Sequence, residues 1–223
     1  GKITYDKAGV YTYSVSEVDA GQGGVTYDSH SATITVTVTD KDNTGASTGK
    51  LVATASVENG QFENKYETKA EYNADGAGGL DITKTLNNRN MTAEQFSFTI
   101  EATGDNKEAA AGKLGITDGT ATTVKNAAGD AGKAESVTGN PFDTIIFNKS
   151  DDGVTYTYTI KEEGTSGEGD YAGYTLDSKT FTVSITATDD GDGTMTVETT
   201  VNDGTDSKEY TDERAEVAFV NTY

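Results

Sequence analysis

Three polar side chains interrupt stretches of otherwise apolar or aromatic strand-like sequence: Lys84 in LDITKTL, Glu162 in YTYTIKE and Asn221 in FVNTY. In an extended chain alternate residues share a face, so Ile82, Lys84 and Leu86 fall together, as do Phe219, Asn221 and Tyr223. An isolated ammonium or carboxylate among such neighbours is costly to desolvate and needs a partner. Two chemistries meet that need. On pattern alone the simpler is a Lys–Glu ion pair hydrogen-bonded by the Asn. The other is covalent. Desolvation favours the neutral form of both ionisable groups. A neutral amine can then attack the Asn carboxamide, while a protonated Glu162 hydrogen-bonds the carbonyl oxygen and relays protons to the departing ammonia. Its product is a Lys–Asn isopeptide bond.

The elements that must position these residues are strands. The chain has 223 residues with 26 Gly, 12 Tyr and abundant Thr and Val, a composition that favours strands joined by Gly, Asp and Asn turns. A formal net charge of −20 disfavours nucleic acid and anionic membrane surfaces, whose affinity rests on Lys and Arg clusters. No run of about 18 apolar residues appears, and no charged-then-apolar leader opens the chain, so no membrane insertion is expected in this segment. The opening instead suggests a piece of something longer. With no Cys and a single His, His30, thiolate chemistry is excluded, while a Ser/His/Asp triad or a multi-His zinc site would need that one residue in every role. His30 is expected as an exposed residue entering a strand, and no cofactor or metal is expected.

The order of motifs contains a repeat. ITYDKAGVYTYSVSE (3–17) parallels IIFNKSDDGVTYTYTIKE (145–162), with Tyr11, Tyr13 and Glu17 matching Tyr156, Tyr158 and Glu162. DSHSATITVTVTD (28–40) parallels DSKTFTVSITATD (177–189), and FENKY (62–66), which contains Asn64, parallels FVNTY (219–223). Residues 67–144 have no counterpart before the first series. Residues 1–66 therefore read as the C-terminal half of one module, 67–79 as a linker and 80–223 as a complete module. In the complete module seven strands without a helical period are expected: an all-β, antiparallel, Ig-like sandwich, with the modules in tandem. The Gly/Ala-rich stretch at 105–140 reads as a long, mobile excursion with one helical turn at EAAAGK.

The Y-x-Y-x-x-x-E strand, the closing F-x-N-x-Y and the Lys near the module's start resemble the streptococcal-type pilin isopeptide-linkage domain. That family occurs in major pilins and in stalk repeats of Gram-positive surface adhesins. The resemblance implies a cross-link between Lys84 and Asn221 promoted by Glu162, and Glu17 and Asn64 as equivalents in an incomplete first copy. The first copy lacks a strand to carry the Lys, because Lys2 and Lys7 align with the strand at 145–149. Either the upstream half is absent or a second chain supplies it, so no intramolecular bond is expected at Asn64. The implied role is structural: a cell-wall-anchored, extracellular stalk or pilus segment whose partners are neighbouring repeats, performing one self-catalysed reaction without turnover. The alternative is a ligand-binding adhesin domain that recognises a host surface molecule, with the 105–140 stretch as the place for a site. A polymerising pilin would also need a sortase signal, and no LPxTG-like stretch occurs, Pro141 being the only proline.

Other signals have simpler explanations. DKDNTG (40–45) and DDGDG (189–193) offer oxygen ligands but lack EF-hand spacing, and read as acidic turns. Glu162 with Glu163 or Asp170 suggests a glycosidase pair, but adjacent strand residues diverge. The GQGG and GDG glycines lack a following helix and a basic residue, so phosphate binding is unsupported.

Overall fold

A computed structural model describes residues 1–41, 44–73 and 77–223. The chain is mostly β, with 51% of residues in strands and 8% in helix. It divides into two compact units, Gly1–Tyr66 and Glu67–Tyr223.

The first unit is built on a three-stranded antiparallel sheet in the order β1 (Gly9–Ser16), β3 (Ser31–Lys41), β4 (Ser47–Glu58). Two short strands, β2 (Val25–Thr26) and β5 (Lys65–Tyr66), pair beside it. Alternation of Thr with Val and Ile along β3 suits a half-buried pleated surface.

In the second unit nine strands form one continuous ladder. The chain supplies β6 (Lys69–Tyr72), β7 (Leu80–Asn87), β8 (Ser97–Thr103), helix α1 (Lys107–Lys113), β9 (Ala121–Asn126) and β10 (Ala134–Thr138). It continues through β11 (Ile145–Asn148), β12 (Thr155–Glu162), β13 (Thr180–Asp189), β14 (Met195–Asn202), β15 (Ser207–Thr211) and β16 (Ala215–Thr222). Ladder order is β15-β14-β13-β12-β8-β9-β10-β7-β16, with β6 and β11 paired separately. The two ends of the ladder come together, because β14 packs against both β16 and β6. Between them lies a core of alternating strand residues that includes Tyr158, Ile160, Val183, Ile185, Ile82, Leu86 and Phe219.

Four expectations require correction. Pairing is not wholly antiparallel: β16 runs parallel to β7 along its whole length, from Ala215–Leu80 to Thr222–Asn87. The stretch at 67–79 is more than a linker, since β6 pairs with β11 and Tyr72 is fully buried, its hydroxyl 2.7 Å from Thr199 Oγ1; residues 74–76 lie outside the described residues. The 105–140 stretch is no free excursion. Helix α1 buries Ala110 and Ala111, accepts a hydrogen bond from the Tyr158 hydroxyl at Ala110 O (3.1 Å) and sends Lys113 to Asp151 (2.7 Å), while β9 and β10 complete the ladder. His30 is half-buried rather than exposed, stacked on Phe62 at 4.6 Å, with Nε2 2.8 Å from Asn59 O and Nδ1 2.5 Å from Asp28 Oδ1.

Chain entry into β7 depends on Gly78 and Gly79, at φ +85° and +109°. A side chain on Gly78 would meet Glu213 O at 3.0 Å, and one on Gly79 the backbone of Asn73 at 3.1 Å. Only glycine adopts these angles at little cost, so the pair fixes where β7 begins.

Candidate functional site

Strand alternation sends Leu80, Ile82, Lys84 and Leu86 into the core, and all four are fully buried. The parallel register places Phe219 opposite Lys84 and Asn221 opposite Leu86, which brings the Lys and Asn side chains to the same face of two neighbouring strands. Glu162 closes β12 from across the core, its side chain 1% exposed. Although β12 and β7 are separated in the ladder by three strands, the folding of the ladder makes them meet. Three candidates from distant parts of the sequence thus form one cluster.

One carboxylate serves both partners. Lys84 Nζ donates to Glu162 Oε2 at 2.8 Å, and Asn221 Nδ2 donates to Glu162 Oε1 at 2.8 Å. Around the amine stand Phe96, Phe98 and Phe219, with ring centroids 4.9, 5.7 and 5.9 Å from Nζ. Burial in this aromatic surround pulls the Lys84 amine down to about 8, against the opposing attraction of the Glu162 charge. The same burial raises the Glu162 carboxyl above its ordinary range, opposed by Lys84. Both shifts favour neutral forms. A proton moving along the 2.8 Å contact converts the charged pair into amine and carboxylic acid.

The division of contacts differs from the expectation. Glu162 faces the Asn221 nitrogen, the group that leaves in an amide exchange, and not the carbonyl oxygen. That oxygen instead accepts the backbone N–H of Asp177 at 2.7 Å. Asp177 is held in place by its own carboxylate, which accepts from Lys179 N and Val220 N, each at 3.0 Å. A fixed backbone donor at a carbonyl oxygen stabilises the charge that develops there when a nucleophile adds. Sequence reasoning missed this residue, yet a signal existed, for Asp28 occupies the matching position in the repeat.

In the first unit, among the described residues, the corresponding arrangement pairs the Glu with the Asn, and no amine contacts Glu17 Oε2. Asn64 Nδ2 donates to Glu17 Oε1 at 2.6 Å, Asn64 Oδ1 accepts Asp28 N at 2.9 Å, and Asp28 accepts Glu63 N and His30 N at 2.9 and 3.0 Å. Those backbone bonds, with His30 beside it, draw the Asp28 carboxyl down to about 2, while the Asn59 carbonyl and Asp28 raise His30.

The weaker candidates fall elsewhere. Asp189 pairs with Lys149 at 2.7 Å, and Asp190 and Asp192 accept from Thr194 and Thr196, as in self-capped turns. The DKDNTG loop includes residues 42 and 43, outside the described residues. Glu163 pairs with Lys161 at 3.3 Å, away from the Lys84 cluster. No helix among the described residues is long and apolar enough to cross a membrane.

A family model described as FctA, the Spy0128-like isopeptide-containing domain, matches residues 1–67 and 80–223. The chain belongs to this family. The two matched stretches contain Glu17 and Asn64 in one and Lys84, Glu162 and Asn221 in the other. Sequence comparison with curated proteins finds no match. Among solved structures it is similar to the major pilin protein T3.2 from Streptococcus pyogenes serotype GAS13637, at 18% identity and a TM-score of 0.31, over 99% of this chain and 69% of that one. The T-13 major pilin of serotype GAS131465 aligns at 20% identity and a TM-score of 0.27, over 99% and 69% of the two chains. A further S. pyogenes major pilin aligns at 17% and 0.23, over 99% and 72%.

Proposed function

We propose that this chain is a structural segment of a pilus or adhesin stalk on a Gram-positive cell surface, made of tandem Ig-like β-sandwich modules and cross-linked by a self-made Lys84–Asn221 bond. The observation that carries this reading is the single buried Glu162 carboxylate, bonded at 2.8 Å to both the Lys84 amine and the Asn221 carboxamide nitrogen. The neutral Nζ attacks Asn221 Cγ, and the oxygen that gains charge is met by the Asp177 N–H. Glu162 takes a proton from the adding amine and delivers one to the amide nitrogen, the Cγ–Nδ2 bond breaks, and ammonia leaves. Each domain reacts once, which makes Glu162 a catalytic residue without making the protein a turnover enzyme. Membership of the isopeptide-containing family supports the structural role, as does the packing of the 105–140 stretch into helix and ladder where a ligand site would otherwise have been sought. Its partners are then neighbouring repeats, and its place is outside the cell, anchored to the wall.

Accurate intact mass tests the reading. One bond removes one ammonia, about 17 Da by the stoichiometry of amide exchange. The Glu162→Ala variant is expected to fold at full, unreduced mass with a lower Tm. Loss of ammonia in that variant would remove Glu162 from the mechanism, and full mass in the unaltered chain would remove the bond.

A further inference from the structure

In the second unit a single loop, residues 163–176, joins the Glu162 carboxylate to the Asp177 N–H that meets the Asn221 oxygen. It is tied down at both ends. Glu163 N donates to Ser97 O in β8 at 2.9 Å, and Thr175 and Thr222 of β16 exchange backbone bonds at 2.8 and 3.0 Å. Between these ties the loop folds back on itself, with Gly167 N shared between Tyr171 O at 3.1 Å and Tyr174 O at 3.0 Å. Its middle therefore lies over the site and not out in solvent.

What the loop lays down there is aromatic. Tyr171 lies nearly parallel to Phe96, with ring centroids 5.8 Å apart, and Tyr174 stands edge-on to the same ring at 5.9 Å. Phe96 is fully buried and, of the three rings around Lys84 Nζ, is the nearest at 4.9 Å. Tyr174 is anchored by Gln95, whose Nε2 donates to its hydroxyl at 2.9 Å. On the outer side of Tyr171 the protein is open. A cleft of about 450 Å³ has Glu162, Gly164, Leu176 and Asp177 in its lining. Gly164, at φ +120°, lies directly against the Tyr171 ring and Leu176, and a side chain there would collide with the ring. The half-buried Tyr171, packed on the core together with Leu176, is thus the wall between the cleft and the pocket of the amine.

We infer that residues 163–176 are a lid and that Tyr171, acting through Phe96, is a positioning residue that keeps water from Lys84 in the Lys84–Asn221 reaction proposed above, on which this inference rests. The charged groups that act on the amine are Glu162 and, more weakly, Asp177, and both favour the ammonium. Exclusion of water is what opposes them. With the Tyr171 ring gone, water from the cleft reaches Phe96 and the pocket behind it. The ammonium is then solvated, and attack on Asn221 Cγ waits on a rarer neutral amine. Because the lid is tied to β8 and β16, it closes only where those strands are already in place, so the amine is dried last.

Two measurements on the full chain test the lid. In an Asn221→Ala background, where no bond forms, NMR of the Lys84 side chain follows its titration directly. Adding Tyr171→Ala is expected to raise the midpoint from about 8 by about one pH unit or more, and adding Tyr171→Phe to leave it in place. In the chain that keeps Asn221, made by cell-free synthesis and sampled over time, intact mass follows the loss of ammonia. Tyr171→Ala is expected to react about ten-fold more slowly at neutral pH, as a one-unit shift makes the neutral amine ten-fold rarer. Tyr171→Phe is expected to match the parent, because the ring and not the hydroxyl forms the wall. Gly164→Ala, which pushes the ring aside without removing it, gives the same readings as Tyr171→Ala, and the Tm of each variant reports its folding. An unmoved Lys84 titration, a parental rate in Tyr171→Ala, or a Tyr171→Phe variant as slow as Tyr171→Ala would each overturn the inference. A parent that never loses ammonia defeats the bond itself, while the Lys84 titration still decides whether Tyr171 dries the amine.

Discussion

Lys84, Glu162 and Asn221 illustrate how burial changes what a residue can do. A surface Lys is protonated across the physiological range, but with its amine among three Phe rings the same side chain falls to about 8 while Glu162 is raised. These directions predict the pH dependence of an Asn221→Ala variant, in which no bond can form and both groups still titrate. Glu162, with its folded value raised, makes stability fall as pH rises from about 4.5 toward that folded value, because the folded state holds the extra proton there. Lys84 acts later and with opposite sign. Between about 8 and its ordinary 10.5 the unfolded chain binds more protons, so stability rises with pH. From pH 8 to about 9, where tyrosines of the unfolded chain are still largely protonated, the gain is about 1 kcal/mol. Urea unfolding at stepped pH measures it. A flat or falling curve in that window would mean that the Lys84 amine is not depressed, and the cross-linked chain, whose Lys84 nitrogen is an amide, is expected to lack the rise. All three residues were legible as polar interruptions of alternating strands. The donor to the carbonyl was not, because a backbone N–H leaves no mark on residue type, and Asp177 stands out only when its recurrence as Asp28 is read together with FENKY and FVNTY.

At the scale of elements, β7 and β16 bring the amine and carboxamide together, and β12 adds the acid from across the core. Periodicity revealed the strands with clean alternation, such as EQFSFTIEA and KTFTVSITAT, since one face of each is buried. It could not reveal partners. The parallel pairing of β16 with β7 joins segments 135 residues apart at Leu80 and Ala215, and nothing local distinguishes it from an antiparallel neighbour. The segment before Leu80 misled for a different reason: KAEY is short and flanked by polar residues, so its burial is decided by β11 and not by its own pattern. This element has a measurable role. Tyr72 is fully buried, edge-on to Phe147 at 5.9 Å and bonded to Thr199, so Tyr72→Ala is expected to destabilise the second unit by about 3–5 kcal/mol. A Tm unchanged from the parent would restore the linker reading. Similarly, the 105–140 stretch looked mobile because Gly and Ala give little hydrophobic signal, yet small Ala110 and Ala111 allow α1 to lie close against the strands.

For the whole molecule, the consequence of a Lys84–Asn221 bond follows from where it sits in the chain. It closes a loop of 221 − 84 = 137 residues, leaving only a few residues of the second unit after the link. Force applied at the ends of the chain loads β6 first, then β7 near its start, and β16 near its end. Because β7 and β16 are parallel, such a pull shears their ladder along its length. Hydrogen bonds loaded in shear still yield, and once they do an unlinked domain can pay out all its chain. With the bond in place the load passes from one strand to the other through a covalent amide, and the loop stays slack even if its ladder opens. The resistance is kinetic and mechanical, of the kind that governs survival under force and protease. Single-molecule extension between residues 1 and 223 should therefore release less chain in the unaltered protein than in Glu162→Ala. The difference is the contour of the closed loop, roughly 450 Å at about 3.3 Å per extended residue. Equal release from the two proteins would show that the buried Lys, Glu and Asn stop at an ion pair, and that the domain withstands force by packing alone.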